Sequence, residues 1–585
     1  NPYREDGSYT SVGDGSWNGT NQNPLEWLDN NPVKRNRMKV LTSLFAELRP
    51  IEGLVLRTVG GLDASDNRLT ATSNPSYVPN YGSGTVAKSF ERYSNLTWTN
   101  TANYTFTIKD DHNISLLLGQ EAVINQSEGF NVTTRGQSND KLLTMATATS
   151  ATSWDDIVSE ATYLSFFGRA EYNYSNKYYA DFSVRRDGSS KFGKDARWAN
   201  FWSVGAMWNL KSEDFLKDID WLTNLQLIAS IGTSGNSSIP NYDHTALFAA
   251  GPQYSGKTGI APYSRGNENL TWEKLMTTNI GVKIGLFDRL NLNVEFYNKK
   301  TTDMLMEVPV TFGNGFNTKW DNIGAMINRG VEFDVDADII RTKDFTWNVS
   351  ANASYNHNEI TELYNGLDEY EISTTGLLLK VGHSYGEFHA VRYAGVNPAN
   401  GDALWYTKDG ELTNRFSNED RVLLGKSYVA PWQGGFGTTF SYKGIQLSAL
   451  FSWVADRWMM NNDRFFDESN GTYAVYNQSA KLLNRWQKPG DITEIPRDGV
   501  QTQLDSHLVE DASFMRLKNL SLSYTFPQSL LKKTKVIERA KVFGQAQNLL
   551  TFTKFTGLDP ESNLNMYRAS YPLSRQFSFG IEVTF

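Results

Sequence analysis

From Leu290 to Tyr297 apolar and polar residues alternate without a break: Leu290, Leu292, Val294 and Phe296 share one face, Asn291, Asn293, Glu295 and Tyr297 the other. A period of two is that of a β-strand with one apolar side. The preceding segment repeats it, with Ile280, Val282, Ile284 and Leu286 against Asn279, Gly281, Lys283 and Gly285. The short link Phe287-Asp288-Arg289 predicts a hairpin. Further on, Val331, Phe333, Val335, Ala337 and Ile339 oppose Glu332, Asp334, Asp336 and Asp338, and the run from Phe345 to Asn356 alternates likewise. Each run is about 9–12 residues, enough to cross a bilayer at a barrel's tilt. Strands of soluble sheets are nearer 5–6 residues.

The connections alternate in length. Short turns are expected near 49–53, 109–111, 175–176, 287–289, 341–343 and 442–444. Long polar segments are expected near 65–87, 127–160, 233–268, 305–324, 359–383, 409–432, 457–509 and 550–573. Short periplasmic turns and long extracellular loops are the pattern of an outer-membrane barrel. The reading yields about nineteen strands, the last over 574–585, with the long loops outside. An odd antiparallel count puts the start of the first strand, near Arg37, on the outer side, and residues 1–35 in an extracellular loop. Since an open edge is not tolerated in lipid, about three more strands are expected upstream, for about 22 in all. The start at Asn1, without Met or an apolar leader, is read as a processed, trimmed or partial sequence.

Composition narrows the classes. Phe 32, Tyr 28 and Trp 16 make 13% of the chain aromatic, more rings than a soluble core readily hides, but suited to lipid-facing positions and interfacial girdles. Mean hydropathy is −0.47 and no stretch of about 18 apolar residues occurs, so no transmembrane helix is expected. Cys is absent, which removes disulfides and thiolate metal sites, and a net charge of −8 offers no basic face for nucleic acid.

Several segments resemble the SusC-like (SusC/RagA) branch of TonB-dependent outer-membrane transporters. They are Tyr163 to Tyr174 leading into Arg186-Asp-Gly-Ser-Ser-Lys-Phe-Gly; Trp272 to Gly281 followed by Phe296 to Leu305; Asn322 to Phe333; Phe514 to Pro527; and Gln547 to Glu561. The resemblance covers nearly the whole chain from about residue 33. It implies a barrel with an N-terminal plug, energised through TonB and lidded by a SusD-like surface lipoprotein. Such a pair imports oligosaccharides or peptides across a Gram-negative, Bacteroidetes-type outer membrane. Plug, TonB box and N-terminal regulatory-like domain are not among these residues and are expected upstream. A structural scaffold barrel in a larger complex and a passive porin are the alternatives.

Candidate chemistry is sparse. Phe577, Phe579, Ile581, Val583 and terminal Phe585 line one face of the last strand, like the C-terminal signal read by the barrel-assembly machinery. Loop aromatics Trp405, Tyr406, Trp432, Trp458, Phe465 and Phe466 are candidates for stacking on substrate, whereas Trp347 and Trp453 fit a girdle facing lipid and lipopolysaccharide. The carboxylates of 332–338 lie about 6.6 Å apart on one strand, and are read as lumen charges meeting Lys or Arg rather than as a Ca²⁺ site. None of His112, His244, His357, His383, His389 and His507 has metal-ligand spacing; His383 and His389 share one strand face at best. Gly313-Asn-Gly315 and Gly434-Gly-Phe-Gly437 do not form a phosphate loop. No catalytic constellation, cofactor or metal site is expected.

Overall fold

The computed structural model describes residues 2–12, 15–17, 22–310, 316, 318–372, 377–473, 478–562, 564–568 and 570–585; Gly313-Asn-Gly315 lies outside them. The chain is all-β. Seventeen strands form one antiparallel meander in chain order. They are β1 (Val33–Leu48), β2 (Leu54–Ser73), β3 (Gly84–Ile108), β4 (His112–Gln137), β5 (Ser150–Tyr174), β6 (Tyr178–Ser189), β7 (Trp198–Asn209) and β8 (Leu222–Asn236). Then follow β9 (Glu273–Leu286), β10 (Leu290–Thr302), β11 (Ala325–Arg341), β12 (Phe345–Glu362), β13 (Trp432–Tyr442), β14 (Ile445–Ala455), β15 (Phe514–Thr525), β16 (Arg539–Thr553) and β17 (Gln576–Thr584). No pairing joins β1 to β17 among the described residues, so the sheet does not close on itself, and β1 is exposed along its whole length. The first strand starts at Val33 rather than near Arg37, preceded by the helix Pro24–Asn30.

Among the described residues the wall thus has seventeen strands rather than about nineteen. The stretch between the expected loops 359–383 and 409–432 does not return to the wall. Its strands Glu387–Val396 and Ala403–Tyr406 join a separate six-stranded sheet spanning Glu369 to Ser427. Two other loops expected from polarity are largely strand: β2 and β3 leave only 74–83 between them, and β4 and β5 only 138–149. At about 3.3 Å per residue and a tilt of ~40°, the 25 residues of β3 rise roughly 60 Å, over twice an apolar band of ~25 Å. The surplus mixes charged and polar residues among scattered apolar ones such as Phe90, Phe130 and Trp154, with no continuous apolar face, and so it read as loop.

The short turns are where expected. Pairs of consecutive left-handed residues, Lys109–Asp110, Ser175–Asn176, Phe287–Asp288 and Lys443–Gly444, build four of the six. Two such residues give the type I′ turn, whose twist matches that of the strands it joins.

Register fixes the faces. Leu290, Leu292, Val294 and Phe296 sit opposite Ala337, Val335, Phe333 and Val331, so the apolar sets share one face. A bulge after Asp338 sets Ile340, not Ile339, opposite Trp347. The outer face carries rings near the turns: His112, Tyr174, Tyr178 and Trp208 contact one another in sequence, and Trp347 stacks on Phe440 at 5.5 Å. Trp347 also donates Nε1–H to Thr438 Oγ1 at 2.9 Å. Trp453, opposite Gly434, and Trp432, against Tyr355 at 4.8 Å, take the corresponding outer-face positions near the loop ends of β13 and β14. Apolar side chains at lipid and amphipathic rings at its borders are what a membrane wall requires.

On the inner face, among the described residues, the acidic run of β11 forms no salt bridge with Lys or Arg of neighbouring strands. Asn293 donates to Asp334 at 3.3 Å and Asn348 to Asp338 at 3.1 Å, while Arg341, on β11 itself, lies 3.6 Å from Asp338. Among the described residues no group of carboxylates and histidines converges on a metal position.

Candidate functional site

The quoted sequence segments meet in space as clamps at the loop bases. Phe192, Phe201, Leu270 and Trp272 form one buried cluster against Tyr163. Trp272 Nε1 donates to the Arg197 carbonyl at 2.9 Å. Asn322 donates its amide to the carbonyls of Thr271 (2.8 Å) and Asp303 (3.0 Å), and its Oδ1 accepts the Thr271 N–H at 2.7 Å. Gly193 is required by contact alone, for a Cβ there would lie 2.1 Å from the Glu268 carbonyl oxygen. Farther along, Arg516 of β15 donates to Asp559 (2.6 Å) and Glu561 (2.8 Å), and Lys518 reaches Glu561 at 2.5 Å. These pairs tie the segment 554–575 to the inner face of β15. Burial would push the Asp559 carboxyl up, but the Leu573 and Glu561 amides and Arg516 hold it below the usual range.

So anchored, the long connections 363–431, 456–513 and 554–575 pack on one another above the wall. Trp458–Asn461 pairs antiparallel with Val509–Asp511 and parallel with Met566–Tyr567, and the buried cluster of Phe388, Met460, Leu508 and Val509 joins the first two loops. Between them lies a cavity of about 430 Å³, within the common size range of ligand pockets. Tyr393, Trp405, Arg464, Glu468, Lys481, Gln501, Gln503, Asp505 and His507 line it.

The cavity's charges are internally matched. Asp505, 1% exposed, accepts Trp405 Nε1–H at 2.7 Å and the His507 N–H at 2.9 Å, with His507 Nδ1 at 2.5 Å. Glu468, 5% exposed, is held by Arg464 at 2.9 Å and Lys481 at 3.1 Å, and Arg464 also pairs with Glu510. Burial alone would raise the Glu468 carboxyl, yet these two cations hold it below the ordinary range. Tyr393 packs 5.0 Å from the His507 ring and donates to the Glu494 carbonyl at 2.9 Å; burial, then the charge of Asp505, drives its phenol far up. With the ions paired, Gln501, Gln503 and the ring faces of Tyr393 and His507 remain to meet a polar ligand.

Of the six aromatic candidates only Trp405 lines this cavity. Tyr406 lies beyond it under Arg392, 5.4 Å away. Trp432 belongs to the outer face. Trp458 lies under Lys426 Nζ at 3.9 Å. Phe465 packs into the loop core and meets Phe466 edge-on at 5.2 Å. Sequence reading missed Tyr393, Arg464, Glu468, Lys481 and Asp505, which are scattered between positions 393 and 505 and share no local motif. The two histidines near 383–389 do not pair: His383 contacts Glu387 at 2.9 Å, and His389 Nδ1 is buried without a partner among the described residues. Phe577, Phe579 and Phe585 stand 62%, 83% and 76% exposed at the outer face of the last strand and its terminus.

Residues 1–549 match the family described as "TonB dependent receptor-like, beta-barrel". TonB-dependent receptor P3 of Formosa agariphila is 30% identical over all of this chain and 61% of its own length. TonB-dependent receptor SusC of Bacteroides thetaiotaomicron is 31% identical over 72% of this chain and 44% of its own. Among solved structures, that of the RagAB peptide transporter superposes with a TM-score of 0.94 at 35% identity, covering 100% of this chain and 66% of that one. The chain therefore spans about three fifths of the relative P3 that it matches throughout.

Proposed function

We propose, from the premise that this chain belongs to the TonB-dependent receptor β-barrel family of the outer membrane, that it forms wall and extracellular cap of a SusC/RagA-type active importer. The cavity between the anchored loops carries this reading. It lies on the side of the long connections, where a nutrient arrives from outside, and it holds matched ions, amides and rings of the kind that grip an oligosaccharide or a peptide. The 0.94 superposition on the RagAB peptide transporter supports it at the level of architecture.

In this reading residues 1–35 are an extracellular segment and 36–585 the barrel-type domain. A SusD-like lipoprotein lids the cap, and TonB acts through a plug contributed by the rest of the protein. The barrel-assembly machinery reads Phe577, Phe579 and Phe585, and lipid with lipopolysaccharide meets the outer rings. The chain moves its substrate unchanged and performs no catalysis. Uptake of labelled oligosaccharides and peptides tests the proposal, in cells carrying or lacking the full-length gene, with and without functional TonB. Uptake that needs both genes supports import. Uptake independent of TonB makes the protein a porin, and none at all makes it a scaffold.

A further inference from the structure

On the outer face of β14–β17 the wall is hollowed. Cross-strand pairing sets Leu522, Gly544 and Phe579 in one row and Leu520, Ala546 and Phe577 in the next. Two small residues of β16 thus lie between leucines on one side and phenylalanine rings on the other. The result is an open, apolar groove of about 1040 Å³. Its turn-side end is the row Ile445, Tyr524, Val542 and Ile581. From Val542 to Ala546 the groove runs ~13 Å along the strand, or roughly 10 Å of height at a tilt of ~40°. Half of an apolar band of ~25 Å has about that depth, so the groove serves the leaflet on the side of the short turns.

The connection from β15 to β16 closes this end. Phe526 N–H donates to the Ala540 carbonyl at 3.0 Å and Glu538 N–H to that of Thr584 at 2.8 Å, so the segment 527–538 is held at the foot of β15–β17. It carries Lys532, Lys533 and Lys535 against a single carboxylate, Glu538. All three lysines are exposed, and their side chains have no hydrogen bond or ion pair among the described residues. Leu530 and Val536 stand 50% and 62% exposed beside them. The next cations, Arg539 and Lys541, have inner-face parity and take no part, since Ala540 and Val542 are the outer residues there. Turn-side cations such as Lys177 and Lys217 are matched within the protein, by Glu213 and Asp214.

We infer that this end of the wall binds an anionic diacyl phospholipid of the periplasmic leaflet. Its phosphate meets the three lysines and its chains lie in the groove. Clustered lysines at a membrane boundary attract anionic headgroups. Each aliphatic stem can lie on apolar surface while its ammonium stays at the phosphate. Leu530 and Val536 add apolar contact at the same level. A neutral lipid would fill the groove yet leave three ammonium groups unmatched. A soluble phosphate would match the charges without using the groove. An anionic lipid uses both.

The test is native mass spectrometry of the full-length, delipidated protein in mild detergent, given equal amounts of phosphatidylglycerol and phosphatidylcholine. Variants are first checked for the heat-sensitive gel migration of folded wild type. The expected result is a phosphatidylglycerol adduct roughly tenfold or more above the phosphatidylcholine one. Lys532→Gln combined with Lys533→Gln and Lys535→Gln should bring the two level, whereas Lys109→Gln with Arg289→Gln, on other turns, should leave the preference intact. Ala546→Leu, which fills the groove, should lower the phosphatidylglycerol adduct about fivefold with every lysine present. Equal retention of the two lipids by wild type, or full preference in the triple lysine variant, overturns the headgroup site. An undiminished adduct in A546L overturns the groove as the seat of the chains. Displacement by excess glycerol phosphate, or by an equal amount of lipopolysaccharide, overturns the assignment to a periplasmic-leaflet phospholipid.

Discussion

Replacing Arg516 by Met removes the guanidinium that holds the segment 554–575 while keeping a long apolar stem in its place. Arg516 is 4% exposed and reaches two carboxylates, Asp559 at 2.6 Å and Glu561 at 2.8 Å. Removing one partner of a buried pair costs about 3–5 kcal/mol when the other is left uncompensated. Compensation here is partial: Lys518 remains on Glu561, and two backbone amides remain on Asp559. A cost of about 2 kcal/mol follows, below that range once this compensation is discounted. It falls on the loop rather than the wall, because β15 keeps its ladders to β14 and β16. Opening of 554–575 should thus become roughly 30-fold more frequent. Hydrogen exchange of the full-length protein in detergent reads this directly at the amides of Glu561 and Leu573, which donate to Asp559. Unchanged exchange there would refute the clamp. Equal loss of protection in β15 and β16 would refute its confinement to the loop.

Other outcomes follow from the same geometry. Glu468 is held below its ordinary value of 4.5, so its pairing with Arg464 and Lys481 is fully present above that pH and lost as the pH falls through the lowered value; exchange protection over 462–482 should decline in that acid range, and less steeply in Glu468→Gln. Gly193→Ala forces the Glu268 carbonyl away and should cost about 1–3 kcal/mol, read as a lower temperature for the folded-to-unfolded gel shift. Trp405→Phe leaves Asp505 one donor short at the cavity wall, which should weaken binding of a transported ligand by roughly tenfold in calorimetry, while the wall's unfolding temperature stays unchanged. Deleting Phe585 should reduce the amount of folded protein in the outer membrane, measured by quantitative blotting, without changing its migration once assembled.

The wall was legible because its physics is local. In β10 and β12 one side of each residue pair faces hydrocarbon, so hydrophobicity itself records the strand, and type I′ turns leave a short polar gap. Legibility ended where that contrast ended. Beyond Asp66 and Glu128 the strands of β2–β5 continue with charged and apolar residues mixed on the outer face, as in Phe130 beside Asp156 and Val132 beside Lys88, and ladders between backbones leave no mark on composition. The bulge at Asp338 and Ile339 was invisible for a related reason, since shifting the register by one leaves an Ile at either position. The cavity was least legible. Asp505 becomes a buried anion only when Trp405, a hundred positions away, folds over it, and Arg516 with Asp559 reads as two ordinary surface ions until the loop closes. The segments that carry the family likeness include those that form the clamps, but their contacts appeared only in the structure.

The tall strands β3–β5 also bear on how the cell is seen from outside. Roughly 30 Å of their paired backbone stands clear of the apolar band, as ordered sheet rather than as flexible loop. Immune recognition of that blade should be conformational: antibodies raised against folded protein would bind intact cells, yet fail on boiled protein and on peptides from 84–94 or 150–160. Sequence drift at its exposed side chains, such as Trp154 and Val158, 73% and 79% exposed, would then change antigenicity while leaving the backbone ladder untouched.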